Sequence, residues 1–249
     1  MRTGLLGIVL SACIVPAVAA DSISLVPLGA FQHGGFAEGA AEIPAYDAAT
    51  RRVFVVNAQA ARVDVLDLSD PSHLTQVGTL EVTAHGAVAN SVAAHQGLVA
   101  VAVEAAVKTD PGRVVFFSAA GQFLASVQVG ALPDMVAFTP DGRWLLVANE
   151  GEPDDSYTAD PEGSVSVIDV SRGGASVTQA DVRTAGFGAF DGGPLPPSVR
   201  VFGPSASASR DFEPEYIAVA HDSRLAWVTL QENNAVATLD VAAARILAI

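Results

Sequence analysis

One phrase recurs four times along the 249 residues: an apolar run headed by an acid or an amide, a tight polar turn, then a second apolar run. The copies are Glu42-Ile-Pro-Ala-Tyr46, Asn90-Ser-Val-Ala93, Asp134-Met-Val-Ala-Phe138 and Glu215-Tyr-Ile-Ala-Val219, with return runs at 52–57, 98–103, 144–149 and 225–230. The first three copies begin 48 and then 44 residues apart, close to the ~40–50 residues of a repeat made of four strands. Ten residues after Glu42, Asp134 or Glu215 stands the head of a return run, Arg52, Trp144 or Leu225. The Asn90 copy is two residues shorter, which preserves the in-out parity of its strands. Thr139-Pro-Asp-Gly142 carries the Asp-Gly signal of a two-residue hairpin loop, a reversal that sets Asp134 opposite Asn149.

Each unit continues into a third short, β-branched run: Val63-Asp-Val-Leu-Asp67, Val114-Val-Phe-Phe-Ser118, Val165-Ser-Val-Ile-Asp169 and Val236-Ala-Thr-Leu-Asp240. Weaker fourth runs are expected at 75–82, 123–129 and 176–182. Four antiparallel strands per unit, repeated, predict an all-β chain folded as a β-propeller with four-stranded blades of WD40/YVTN type. About four blades fit, so the ring is expected to be incomplete and the chain truncated at its C-terminus, with 22–28 as an N-terminal strand available for closure. Asp67, Asp169 and Asp240 recur at one point of the third run, where each is expected to bond the turn that follows.

Residues 1–20 read as a secretory signal and 21–249 as the propeller domain. Arg2 supplies the positive start, 5–14 the apolar core, and Ala17-Val-Ala-Ala20 the cleavage site. Leu10-Ser-Ala-Cys13 offers a competing lipoprotein reading through Cys13, against which the apolar run 14–18 argues. The expectation is therefore a secreted, periplasmic or cell-surface protein with no transmembrane segment. Cys13 is the one cysteine, so disulfides and thiol chemistry are excluded from the processed chain. Arg2 is the only charged residue of the leader, so its removal takes the formal net charge from −14 to −15. Nucleic acid is a poor partner for such a surface and divalent cations are good ones.

If the first strand of each unit is innermost, strand starts and second-strand ends gather acids on one face of the disc. The candidate metal ligands are Glu42, Asp134, Glu213 and Glu215 from the starts, and Asn149, Glu150, Glu152 and Glu232 from the ends. The insertion running from Asn149 to Gly163 adds Asp154 and Asp155. Crowded carboxylates favour a hard cation with oxygen ligands, so calcium is the expected cofactor, although the spacing is not that of an EF-hand. The same acids could instead cap turns and stay solvated. His95 and His221 fall on the opposite face, no histidine pair has zinc spacing, and no nucleophile elbow or P-loop is present. The Gly-, Pro- and Ser-rich stretch 186–211 reads as a long surface loop, either an ordinary insertion or a lid over the acidic mouth.

Six phrases carry a family resemblance: Glu38-Gly-Ala-Ala-Glu42-Ile, Leu132-Pro-Asp-Met-Val-Ala-Phe-Thr-Pro-Asp-Gly142, Ala148-Asn-Glu-Gly-Glu-Pro-Asp-Asp155, Asp160-Pro-Glu-Gly-Ser-Val-Ser-Val-Ile-Asp169, Arg200-Val-Phe-Gly-Pro204, and Glu213-Pro-Glu-Tyr-Ile-Ala followed by Thr229-Leu-Gln-Glu-Asn-Asn234. Together they resemble the choice-of-anchor I family, which includes exported bacterial proteins and the mesenchyme-specific cell-surface glycoproteins of echinoderm skeleton-forming cells. The resemblance implies a secreted or surface-held propeller, in some members tied to calcium mineral. Bacterial members often carry an alkaline phosphatase label that these residues do not by themselves support. The function expected is a non-enzymatic propeller that binds divalent cations and serves a surface, adhesion or mineral-related role, its partners a surface polymer, a protein or mineral. The alternative is a calcium-dependent phosphoesterase, alkaline phosphatase-like or phytase-like, in which the same acids hold the metal.

Overall fold

The computed structural model describes residues 23–33, 40–204 and 207–249, so the expected leader and Cys13 lie outside the described residues. Runs rich in Val, Ile, Phe and Trp alternate their side chains across a pleated surface and become strands, while turn residues reverse the chain between them. Among the described residues, strands and return strands build four antiparallel sheets of four. The first sheet holds β1 (Pro44–Asp47), β2 (Arg52–Asn57), β3 (Arg62–Asp67) and β4 (Thr75–Glu81). The second holds β5 (Val88–His95), β6 (Leu98–Glu104), β7 (Pro111–Ser118) and β8 (Phe123–Ala131). The third holds β9 (Pro133–Phe138), β10 (Trp144–Asn149), β11 (Ser164–Asp169) and β12 (Val182–Gly186). The fourth holds β13 (Pro214–Val219), β14 (Leu225–Leu230), β15 (Ala235–Asp240) and β16 (Arg245–Ala248).

Strands pair in chain order within each sheet. The first strands then pack side by side, β1 on β5, β5 on β9 and β9 on β13, which makes the first strand of each blade the innermost. This is the expected propeller arrangement. Among the described residues β13 and β1 make no comparable contact, so the four blades form an open arc. The core is three layers between blades. Phe54, Val56 and Val63 face Val99, Val101 and Val103 in the first layer. Phe116, Val127 and Val129 face Leu145, Val147 and Ile168 in the second, and Leu146, Val165 and Val167 face Val228, Leu230 and Leu239 in the third.

Turn chemistry repeats with the blades. Asp67 accepts from Ser69 N at 2.7 Å, Asp169 from Ser171 N at 3.0 Å and Asp240 from Ala243 N at 2.9 Å, the role expected of these acids. Hairpins also link neighbouring blades: buried Asp47 accepts from Gly97 N at 3.0 Å, and Asp141 N donates to Ser223 Oγ at 3.1 Å.

Five details differ from the sequence expectation, the first being that 23–28, the described part of the expected N-terminal strand 22–28, forms no strand and pairs with no sheet. Asn149 pairs with Pro133, and Asp134 is left over as the extra residue of a bulge. The loop after Thr139 is longer than two residues, because Thr139 N bonds Trp144 O at 2.9 Å while the Thr139 hydroxyl bonds Asp141 at 2.6 Å. Residues 176–182 are not a strand: Thr178 N and Oγ1 both donate to Asp181 at 2.9 Å and hold a short helical turn, and the strand begins only at Val182. One turn of α-helix, α1 (Ala208–Asp211), appears where no helical period was legible.

Gly142 adopts φ 68, and a Cβ there would lie 2.4 Å from His95 Nε2 of the neighbouring blade. Gly142→Ala is expected to cost about 1–2 kcal/mol, lowering the melting temperature by roughly 2–8 °C. His95→Ala in the same chain should restore the steric part and leave the conformational part, which a double-mutant cycle of melting curves resolves.

Candidate functional site

The head of each repeated phrase sits at a bulge on the innermost strand. Asn90 is extra between the pairs Ala89–Val103 and Ser91–Ala102, as Asp134 is between Pro133 and Met135. In the fourth blade Glu215 and Tyr216 lie between the pairs Pro214–Leu230 and Ile217–Val228. In the first, Glu42 N and Ile43 O both bond Val56, at 3.1 and 3.0 Å. A bulge adds a residue, sharpens local twist and re-aims side chains, and bulges are over-represented beside functional sites.

Asp134, Glu150, Glu213 and Glu215 come within electrostatic reach of one another at the mouth between the third and fourth blades. Burial, reinforced by Asp134, Glu152, Glu215 and Glu213, pushes the Glu150 carboxyl from an ordinary 4.5 to about 8. Burial and then Glu232 raise Glu213 to about 7, and burial with a bond shared with Glu232 raises Glu215 to about 7. Burial also raises Asp134. Glu232 Oε2 is buried with no protein donor. Among the described residues no three acidic, histidine or cysteine side chains converge closely enough to hold an ion as they stand. The rim is thus a loose ring of carboxylates under mutual repulsion, not a closed coordination sphere.

The other predicted ligands are placed differently. Glu42 is exposed on the first blade. Asn149 is fully buried and turns into the third blade, where Nδ2 donates to Ser164 Oγ at 3.2 Å and Ser166 Oγ at 3.0 Å. Asp154 is spent on its own loop: it accepts from Thr158 N at 2.8 Å, Ser156 N at 3.0 Å and Ala159 N at 3.1 Å, and these bonds hold its carboxyl below the usual range. Asp155 is exposed at the tip of that loop. Glu152 pairs with Lys108 at 2.9 Å, an ion pair that ties the second blade to the insertion of the third and raises the lysine above its usual value.

The long loop does reach this face, in a form the sequence did not disclose. Buried Asn233 donates from Nδ2 to Asp211 O at 2.6 Å, Asp211 Oδ2 at 3.0 Å and Arg200 O at 3.1 Å, and accepts from Glu213 N at 3.3 Å. Asp211 also accepts from Phe202 N at 3.0 Å and Gly203 N at 2.6 Å, and Asp191 accepts from Ser209 N at 2.8 Å. Gly163 N donates to Ser209 O at 3.0 Å, which joins the loop to the insertion. The loop is therefore a built wall of the acidic mouth. Asp191 and Ser209, Asp211 and Asn233, and Arg200 and Asn233 stand 18, 22 and 33 residues apart in sequence, so no local motif marked these pairs.

A second concavity of about 630 Å³ opens on the opposite face between the third and fourth blades, lined by Asp141, Arg143, Trp144, Asp222 and Arg224. Arg143 and Arg183 lie 4.8 and 4.7 Å from the Trp144 ring. Arg143 and Arg224 thus lie on the face away from the acids. No helix among the described residues is long and apolar enough to cross a membrane.

No curated protein matches the chain. Among solved structures, a functionally unknown protein from Desulfotomaculum acetoxidans superposes with a TM-score of 0.54 at 11% identity, over 80% of this chain and 53% of its own. A chain of the nidogen/laminin complex gives 0.50 at 14% identity, over 86% of this chain and 67% of its own. Hydrazine synthase of Kuenenia stuttgartiensis gives 0.41 at 14% identity, over 81% of this chain and 64% of its own. The likenesses above concern the fold alone, and the chain spans about half to two thirds of the proteins concerned. The match that carries identity is in sequence: the model of the Choice-of-anchor I domain fits residues 42–249, from the first repeated phrase through the fourth blade, and the chain belongs to that family.

Proposed function

We propose that this chain is an exported, non-enzymatic propeller that takes up a divalent cation of the calcium class at its acidic mouth and serves a surface, adhesion or mineral-related role. Choice-of-anchor membership goes with a cell-surface or secreted protein. The observation that carries the cation reading is the gathering of Asp134, Glu150, Glu213 and Glu215 at one half-buried mouth, where burial first, and for the three glutamates mutual repulsion second, holds their carboxyls above the usual range. A hard cation with oxygen ligands relieves the same repulsion, and binding would draw the loose ring together. The phosphoesterase alternative needs a positive group free to meet phosphate here. Lys108 is engaged by Glu152, Arg200 stacks 5.2 Å from Phe202, and Arg143 and Arg224 line the opposite face, which leaves exposed Arg210 of α1, near Asp160, as the candidate for that role.

The sign of the pH dependence follows from the raised values. From the ordinary 4.5 up to about 7 for Glu213 and Glu215, and up to about 8 for Glu150, the folded chain holds protons that the unfolded chain has released. Stability should then fall as pH rises through that window. With solvent screening at this half-open rim allowed for, the loss is about 2 kcal/mol, or roughly 4–8 °C in melting temperature. Calcium should reverse it at pH 8 and act weakly at pH 5. At 100 times Kd a cation adds about 2.7 kcal/mol. Glu150→Gln with Asp134→Asn should flatten the pH dependence and abolish the calcium effect. Melting curves across pH with and without calcium separate the parts: a pH slope without a calcium shift keeps the strained rim and overturns the cation reading. Calcium-dependent phosphatase turnover, lost in the double variant, would overturn the non-enzymatic one.

A further inference from the structure

The concavity on the face away from the acids lies between the third and fourth blades, and its volume of about 630 Å³ falls inside the ~300–1,000 Å³ of small-molecule sites. The corresponding groove between the first and second blades is smaller, about 390 Å³, and its one carboxylate is buried Asp47, already bonded to Gly97 N at 3.0 Å. What differs is one position of the repeat. The return strands begin with Arg52, Leu98, Trp144 and Leu225, so a tryptophan stands at this point in the third blade alone. Arg143 and Arg183 lie against its ring. Arg183 Nη1 crosses to the fourth blade and donates to Ala242 O at 2.7 Å, while its Nη2 is buried with no acceptor among the described residues. Asp141 N, bonded to Ser223 Oγ at 3.1 Å, joins the two hairpins. The groove is therefore a built one, with a donor that the protein itself leaves unsatisfied.

Its lining favours one class of ligand. Asp141, Asp222 and Asp240 share the groove with Arg143 and Arg224. With Arg183 against the Trp144 ring, three carboxylates meet three guanidinium groups. A free anion is repelled by the first set and a cation by the second. A neutral ligand rich in hydroxyls suits both, because each hydroxyl donates to a carboxylate and accepts from a guanidinium. These groups have bonds to give. Asp222 and Asp240 each spend only Oδ1 on their turns, accepting from Arg224 N at 3.1 Å and from Ala243 N at 2.9 Å. Arg224 is exposed, and Arg143 stands 3.8 Å from Asp169, too far for a hydrogen bond. Trp144, Leu225 and Ala242 add apolar lining against which the C–H groups of a sugar ring can pack.

We propose that this groove is a carbohydrate site, which holds a short neutral saccharide on the face opposite the acidic mouth and independently of it. Arg143 and Arg224 donate to the sugar hydroxyls, Asp222 and Asp240 accept from them, and the apolar side of the ring packs on Trp144 and Leu225. Contact with the Trp144 ring holds the Arg143 guanidinium in place before the ligand arrives, so less side-chain freedom is lost on binding.

An array of neutral and acidic glycans, probed with the full chain in the absence of calcium, tests the idea, with neutral saccharides expected to bind. Trp227→Phe leaves Trp144 as the one tryptophan. A neutral saccharide bound on the array should then change the Trp144 emission in solution, with a Kd of roughly 0.1–10 mM for an open polar groove. Arg224→Ala and Asp222→Asn should each weaken binding about 10-fold or more. Both side chains are exposed, so the melting temperature should move by less than ~2 °C in either variant. Binding of no neutral glycan overturns the proposal. So does binding of acidic glycans alone, or binding untouched by both variants. Binding that requires calcium or falls with Glu150→Gln also overturns it, because it moves the ligand to the acidic mouth.

Discussion

Phe212→Ala is expected to lower the unfolding free energy by about 4 kcal/mol and the melting temperature by roughly 8–16 °C. Phe212 is fully buried, and its ring meets the Phe187 ring edge-on at 5.5 Å and 89°. Truncation removes the transfer energy of a phenyl group and this pairing, and it opens a cavity between the third and fourth blades that strands on both sides cannot collapse to fill. The residue also stands immediately before Glu213 and bonds through its N–H to Ala208 O at 3.0 Å. Loss of the ring should therefore loosen the acidic mouth as well as the core. Thermal unfolding gives the first effect. The second is read from the pH slope of stability, which should be shallower in the variant. Phe212→Leu, which keeps most of the volume, should recover more than half of the loss.

Gly163→Ala should cost about 3 kcal/mol, a large effect for one methyl group. A Cβ at Gly163 would fall 1.9 Å from Phe212 O and 2.9 Å from Glu150 O, both backbone atoms that cannot rotate away. Something must shift, and what shifts is the joint between the insertion and the long loop, where Gly163 N also donates to Ser209 O at 3.0 Å. Hydrogen exchange should show lost protection at 150–163 and 207–213 first, with the first and second blades unaffected. Equal loss across all four blades would mean that the joint is not a local element.

Much of the fold was legible because sheet geometry is written locally. Period-two runs of β-branched residues and the Asp that closes each third strand need only near neighbours to act, and they place every second and third strand within a few residues. The bulges were not read from the sequence. The polar residue at each phrase head marks the spot, but whether it pairs or is left over depends on the hydrogen bonds of the facing strand, so Asp134 was placed opposite Asn149 when Pro133 takes that position. The candidate site divides in the same way. Asp134, Glu150, Glu213 and Glu215 share a mouth because strand direction alone carries them there. Asn149 and Asp154 carry the same oxygen chemistry, yet nearby serines, threonines and backbone amides claim them first.

By itself, the sequence determined the repeat, the blade and the face on which acids collect, since each follows from spacing and side-chain alternation along one stretch of chain. Only the tertiary structure decided which carboxylates are pressed together and which are consumed by local bonds. It also decided that Asn233 and Asp211 weld a long loop to the mouth, and that His33 of the N-terminal segment bonds Asp64 and Asn57 of the first blade. The reason is physical: burial and proximity between distant residues set the cost of a charge or an exposed ring, and neither quantity exists until the blades are packed.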